Sequence, residues 1–287
     1  MPITAQNLKS NIIPTWCPGC GNFGILEALK RALVGLGIEP HQLLMVSGIG
    51  QSGKLPHYTM GNVFNSLHGR PLPVAVAAKI VNPELVVVAI SGDGDGYAEG
   101  GNHTLHAMRR NHDITYLVHD NQVYALTKGQ ASPTSDVGFV TRTTPQGADP
   151  PVNPIILAIA SGATFVARSF AGDLEHLSAM ITQAIQHRGF ALVDILQPCV
   201  TFNRKNTWDW YRERVYRLEE DDGYDPGNQL AAFEKAQQWG NRIPIGVIYR
   251  KKGAATFEER LPGLAKGHLV QRKLTPEPLA KLITEFL

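Results

Sequence analysis

Residues 85–96 read Leu-Val-Val-Val-Ala-Ile-Ser-Gly-Asp-Gly-Asp-Gly: six apolar residues without alternation, a serine, then glycine and aspartate in turn. A short continuous apolar run that ends in glycine reads as a strand buried on both faces, as in a parallel sheet covered by helices. Glycines at alternate positions let the backbone come close to a ligand, and the carboxylates between them offer hard oxygens to a divalent cation. Two acids side by side at a strand end are costly without a cation, so the pair points to Mg²⁺ bridging an acid and a diphosphate. The dinucleotide fingerprint fails, because G-x-G-x-x-G counted from Gly92 needs glycine where Tyr97 stands.

Outward from this stretch the pattern alternates. A helical period over residues 21–36 precedes a strand at 43–47, a helix at 74–80 precedes the strand at 85–91, and a helix near 100–110 precedes a strand at 114–120. A helix at 155–161, a strand at 164–168, a helix at 173–187 and a strand at 190–196 continue the order. The expected fold is therefore α/β, a mainly parallel sheet with helices on both faces. Ligands in such sheets sit at the carboxyl ends of the strands, where four of these loops must gather. Residues 1–200 are expected to form this domain. Residues 201–287, richer in aromatic and charged residues, are expected to form an extension packed on it, with a helix at 229–239, a strand at 243–249 and a terminal helix after Pro276.

Composition narrows the function. Among 287 residues 43% are hydrophobic and 18% charged, a globular balance, and a net charge of +2 gives no reason to expect nucleic acid as a partner. The apolar runs are of strand length, far short of the ~20 residues of a membrane span. The first ten residues lack a signal-peptide core, and a cytoplasmic location is expected. In a reducing compartment, three cysteines point to metal or redox use rather than disulfides. Two of them stand in Trp16-Cys17-Pro18-Gly19-Cys20-Gly21; with Cys199 they make three, one short of a closed tetrahedral site. Gly48-Ile-Gly-Gln-Ser-Gly-Lys54 satisfies G-x-x-x-x-G-K, but Leu55 replaces the Ser or Thr that would hold Mg²⁺, and Pro56 makes a poor helix start.

Taken together, these motifs carry a resemblance. GDGDGYAEGGNHTLHAMRRNHDITYLVHDNQVYALTKGQ (92–130) resembles the diphosphate-binding motif of thiamine diphosphate enzymes, in which GDG is followed, after nearly thirty residues, by Asn at the end of the next strand. Asp93 and Asn121 have that spacing. WCPGCG, GIGQSGK, LHGR (67–70) and TKGQASPTS (127–135) extend the resemblance to the β subunit of 2-oxoacid:ferredoxin oxidoreductases, most like the 2-oxoglutarate type, over residues 12–205.

The resemblance implies a thiamine diphosphate-binding fold and a set of roles. Asp93 and Asn121 would hold Mg²⁺ by their side chains and Val123 by its carbonyl. Gly94 and Asp95 would meet the diphosphate through backbone amides, while Ala125 and Leu126 would lie along the cofactor. Ile49, Gly50, Gln51, Ser52 and His68 match thiamine-contacting positions, and Lys54 matches a lysine near the reacting centre, where a cation would pair with a substrate carboxylate. His103 and His106 read as packing or solvent-facing. Cys17, Cys20 and Cys199 match three ligands of a [4Fe–4S] cluster. The fourth position is Gln51, a departure from the family pattern that leaves open a ligand such as water, Gln51, His57 or an Asp, a ligand from another subunit, or a degenerate site holding zinc, a three-iron cluster or nothing.

The implied activity is oxidative decarboxylation of a 2-oxoacid, 2-oxoglutarate to succinyl-CoA and CO₂ or the reverse, with coenzyme A as acyl acceptor and electrons passed through the cluster to ferredoxin. The substrate reading rests on TKGQASPTS, with Lys128 where pyruvate enzymes tend to have glycine. The resemblance covers only the diphosphate half of a thiamine site, so a larger α subunit with the pyrimidine-binding domain is implied, in an assembly of two αβ units. Two other readings stand beside it: a non-redox thiamine-dependent decarboxylase subunit without a working cluster, and a zinc-knuckle binding module without catalysis.

Overall fold

A computed structural model of the chain describes residues 3–273 and 276–285. Among the described residues the strands β1 (Leu43–Ser47), β2 (Asn62–Asn65), β3 (Val86–Gly92), β4 (Thr115–Asp120), β7 (Phe165–Phe170), β8 (Ala191–Leu196), β9 (Val215–Arg217) and β10 (Ile243–Arg250) form one sheet, in the order β2-β1-β3-β4-β8-β7-β10-β9. A two-stranded ribbon, β5 (Val123–Tyr124) with β6 (Gln130–Ala131), stands apart from it. Neighbours from β2 to β7 run parallel, and β10 pairs antiparallel with β7. The expected mainly parallel α/β sheet is the observed one.

The unbroken apolar runs follow from burial on two sides. In β3, Val88 and Ile90 enter a core with the helices α1 (Asn22–Gly35) and α5 (Leu174–Gln186). Val87 and Ala89 point the other way, into a core with α2 (Pro71–Val81), α3 (Gly101–Arg110), α4 (Pro154–Ala160) and α7 (Gln229–Ala236). The stripe Ile25, Leu26, Ala28, Leu29, Ala32 and Leu33 of α1 is buried, and each such Leu or Ile is worth about 1.5–3 kcal/mol. Helix starts are set locally: Asn153 caps α4 by accepting from the amides of Ile155 and Ile156, and Asp173 caps α5 by accepting from that of His176.

The differences from the sequence pattern have physical causes. The helix expected over 74–80 begins at Pro71, because proline at the first turn needs no amide and its φ is preset. Residues 52–58 form a tight 3₁₀ segment, Ser52–Tyr58, around Pro56. Strand β2 escapes the pattern because all four of its residues are exposed at the sheet edge. Residues beyond 200 add β9 and β10 to the sheet and give the short helices α6 (Trp208–Arg212) and α8 (Phe257–Arg260) besides α7, with α9 (Pro276–Glu285) near the end. No helix of the described residues is long and apolar enough to cross a membrane.

Candidate functional site

The order β1-β3-β4-β8 places four carboxyl-terminal loops side by side: 48–53 after β1, 92–96 after β3, 121–127 after β4 and 197–199 after β8. These neighbours lie parallel, so their loops leave the same end of the sheet. A cleft opens there, lined by Ile49, Gly50, Gln51, Ser52 and His68, by Asp93, Gly94 and Asp95, and by Asn121, Val123, Ala125 and Leu126. The structure thus brings together all twelve residues that the resemblance assigns to thiamine diphosphate and Mg²⁺. Gly92, Tyr124 and Thr127 complete the lining and were not singled out by sequence. Lys54 is partly buried in the 3₁₀ segment next to Ser52 and is not part of the lining.

The two acids of GDGDG have different tasks. Asp95 Oδ1 accepts from the amides of Gly69 (2.7 Å) and Ile49 (3.1 Å) and lies 2.9 Å from His68 Nδ1, while Oδ2 accepts from Ser91 Oγ at 2.7 Å. Its carboxylate therefore ties three loops together and has little left to offer a metal. A Cβ on residue 48 would stand 1.8 Å from Asp95 Oδ2, which is why Gly48 is glycine. At Gly94 a Cβ would meet the Tyr124 ring at 2.2 Å, so the backbone entering the cleft stays bare.

Asp93 is 1% exposed and accepts on Oδ2 from Ser132 Oγ and, at 2.7 Å, from Thr134 Oγ1. Burial pushes its carboxyl up to about 6, against the pull of those hydroxyls and the Gly94 amide. A buried acid with a raised proton affinity beside a polar cleft fits a group that a cation would neutralise. Thr134 Oγ1 also lies 2.7 Å from Asp120 Oδ1. Burial, and then the neighbouring Asp194 and Asp93, push the Asp120 carboxyl well above the usual carboxylate range. Asn121 Oδ1 accepts from the Val123 amide at 3.0 Å, while Gln122 between them adopts φ +59. Asn121 and Val123 on either side of that reversal both line the cleft. Asp93, Asn121 and the Val123 carbonyl are an all-oxygen set that fits Mg²⁺ with diphosphate and water completing the shell.

Beyond a shared wall lies the cysteine pocket. It is lined by Cys17, Cys20 and Cys199 and shares Gln51, Asn121 and Ala125 with the cleft. Residues 17–20 form a turn, closed by the Cys20 amide on the Cys17 carbonyl at 3.0 Å, directly before α1. Trp208 Nε1 holds the Gly19 carbonyl at 3.0 Å, and Trp16 Nε1 holds the Gln51 carbonyl at 2.8 Å. Thr201 Oγ1 donates to Cys17 Sγ (3.2 Å) and Gln197 Nε2 to Cys20 Sγ (3.4 Å). Burial pushes the Cys20 thiol up to about 11, with Cys199 and Cys17 adding to the rise. Such a thiol stays protonated until a metal takes the proton's place. Among the described residues no three His, Cys, Asp or Glu side chains close around a single ion.

The pocket lining contains no histidine and no carboxylate; His57 is exposed on the 3₁₀ segment and stands outside it. The amide oxygens of Gln51 and Gln197 are buried without a hydrogen-bond partner, as is the Asn22 amide nitrogen. An unmet buried acceptor costs about 1–3 kcal/mol, and these atoms are free to meet a bound group. The three cysteines with these polar atoms fit an iron–sulfur cluster.

Comparison with known proteins agrees with this geometry. Residues 46–195 match the family model described as thiamine pyrophosphate enzyme, C-terminal TPP binding domain, and residues 199–266 match the model for the C terminus of the pyruvate ferredoxin oxidoreductase beta subunit. The chain is 45% identical over 266 residues to the 2-oxoacid:ferredoxin oxidoreductase subunit beta of Saccharolobus solfataricus, covering 88% of this chain and 87% of that one. It is 46% identical over 203 residues to the 2-oxoglutarate oxidoreductase subunit KorB of Mycobacterium tuberculosis, covering 70% of this chain and 54% of that one. In structure it matches 2-oxoglutarate:ferredoxin oxidoreductase from Magnetococcus marinus, solved with 2-oxoglutarate, coenzyme A and succinyl-CoA bound, with a TM-score of 0.90 and 38% identity over 98% of this chain and 96% of that one. On sequence, fold and the lining of the cleft alike, the chain belongs to the family of 2-oxoacid:ferredoxin oxidoreductase β subunits.

Proposed function

We propose that the chain is the thiamine- and cluster-bearing subunit of a complex that converts 2-oxoglutarate and coenzyme A to succinyl-CoA and CO₂, or runs the reverse, with ferredoxin as electron partner. The observation that carries this reading is the shared wall: Gln51, Asn121 and Ala125 line both the diphosphate cleft and the cysteine pocket. When bound, thiamine diphosphate supplies the carbon nucleophile that allows a 2-oxoacid to lose CO₂, and a [4Fe–4S] cluster supplies a one-electron acceptor.

This chain's residues then have defined tasks. Asp93, Asn121 and the Val123 carbonyl hold Mg²⁺, with Ser132 and Thr134 fixing the Asp93 carboxylate. Gly94 and Asp95 present backbone amides to the diphosphate at the start of a π-turn, Gly94–Glu99, that leads into α3. Ile49, Gly50, Gln51, Ser52 and His68 pack along one side of the cofactor, Ala125 and Leu126 along the other. Lys54, on the 3₁₀ segment beside the cleft but outside its lining, is the cation that the family resemblance offers to the substrate's carboxylate. Lys128, held at φ +78 in the exposed turn after Leu126, supports the 2-oxoglutarate assignment.

An α subunit with the pyrimidine-binding domain completes the site, and two αβ units form the assembly. Support comes from the sheet edge: Met60, Val63 and Phe64 are about half exposed, and Leu67, next to His68, is 76% exposed. A partner covering that apolar strip also closes the cleft. The test is turnover of the reconstituted complex. Dye or ferredoxin reduction that requires 2-oxoglutarate, coenzyme A, Mg²⁺ and thiamine diphosphate, with little rate from this chain alone, supports the proposal. CO₂ release without dye reduction, or a preference for pyruvate, overturns it.

A further inference from the structure

A four-iron cluster needs four ligands, and the pocket offers three thiolates. The remaining oxygen atoms in its lining can be sorted by what they already do. Thr15 Oγ1 is paired with Tyr58 Oη, and Thr201 Oγ1 donates to Cys17 Sγ. Asn22 Oδ1 accepts from His119 Nδ1 at 2.7 Å, and Asn121 Oδ1 accepts from the Val123 amide. Two side-chain oxygens remain buried and unmet, Oε1 of Gln51 and Oε1 of Gln197.

The strand order separates these two. Gln197 leaves β8 two residues before Cys199, and its amide nitrogen already donates to Cys20 Sγ and to the Pro198 carbonyl, so it approaches from the side the cysteines occupy. Gln51 comes from the loop after β1, with β3 and β4 lying between β1 and β8, and it is the one of the two that also lines the thiamine cleft. Its main chain is fixed to the cysteine turn by the Trp16 indole, whose residue directly precedes Cys17.

We propose that the Gln51 amide oxygen is the fourth ligand of the cluster, which leaves one iron chemically distinct from the three bound by Cys17, Cys20 and Cys199 and facing the thiamine cleft. This rests on the reading above that the three cysteines hold a [4Fe–4S] cluster. A neutral, hard oxygen replaces a thiolate there, so the cluster carries one less negative charge than a four-thiolate cluster and has a higher reduction potential. The distinct iron is also the most weakly held and the first to leave on oxidation.

The experiment compares the anaerobically purified complex with its Gln51→Cys, Gln51→Ala and Gln197→Ala variants by Mössbauer and EPR spectroscopy and by redox titration. In the unaltered protein about one iron in four gives a separate Mössbauer signal. Gln51→Cys merges that signal with the others and lowers the potential. Gln51→Ala changes the distinct signal and, on brief exposure to air, loses about a quarter of the iron to a three-iron EPR signature faster than the unaltered protein. Gln197→Ala leaves the distinct signal in place. Four equivalent irons in the unaltered protein, or a distinct signal that moves with Gln197 and not with Gln51, overturns the assignment of Gln51 while leaving the cluster intact. Iron-free protein from anaerobic purification overturns the cluster reading itself, and the proposal with it.

Discussion

Trp16 Nε1 donates a 2.8 Å hydrogen bond to the carbonyl of Gln51, so the residue before the cysteine turn and the loop that lines the thiamine cleft are joined by one bond. Trp16 is buried and packs edge-on against Phe23 and Tyr58, which keeps the indole in place. Trp16→Phe removes the donor while retaining an aromatic ring and is expected to lower stability by about 1 kcal/mol. Trp16→Ala adds the cavity and is expected to cost about 3–5 kcal/mol. Denaturant melts of the two variants check both values, and an unchanged stability in Trp16→Phe would show that the hydrogen bond contributes nothing of its own.

Asp95 acts through the loops it joins. Gly48→Ala drives a methyl into its carboxylate, with an expected loss of about 1–3 kcal/mol. Asp95→Ser loses several hydrogen bonds but also relieves that clash. The double variant is therefore expected to be more stable than the sum of the single losses by about 1 kcal/mol, measured by a double-mutant cycle in thermal or chemical denaturation.

Asp93 and its hydroxyl partners are expected to set cofactor affinity. Asp93→Ala is expected to abolish Mg²⁺-dependent binding of thiamine diphosphate, and Thr134→Val to weaken it about 10–100-fold through a misplaced carboxylate. The pH dependence has a definite sign. Burial raises the Asp93 carboxyl to about 6, Mg²⁺ binds the deprotonated form, and so affinity is full above that pH and falls about tenfold per unit as pH drops below it. Isothermal titration calorimetry over this range checks the slope. In Asp93→Asn the residual dependence is that of the cofactor's own phosphate.

The sequence carried the fold because both faces of the sheet are covered: β4 and β8 are buried at every position and β3 at all but its two ends, and each ends in a residue of the site or just before one. The acid of the glycine–aspartate loop was legible from its place at the end of β3, while Asn121 and the rest of the cleft lining came through the family resemblance. What escaped the sequence was set by tertiary neighbours. Ser132 and Thr134 reach Asp93 across 39 and 41 residues, and nothing local distinguishes these two hydroxyls from others in a polar loop. GDGDG read as two acids awaiting one cation, yet Asp95 is spent on Ser91, Gly69, Ile49 and His68, a division of labour visible only once the loops meet. Strand β2 has no buried face from which a pattern could arise.

The central claim is that this chain holds an iron–sulfur cluster beside a thiamine site, and iron and acid-labile sulfide analysis of anaerobically purified protein tests it most directly. About four irons and four sulfides per chain in a brown protein, lost in Cys199→Ser, is the predicted result. A colourless protein without iron or sulfide, or one holding a single zinc, would contradict it.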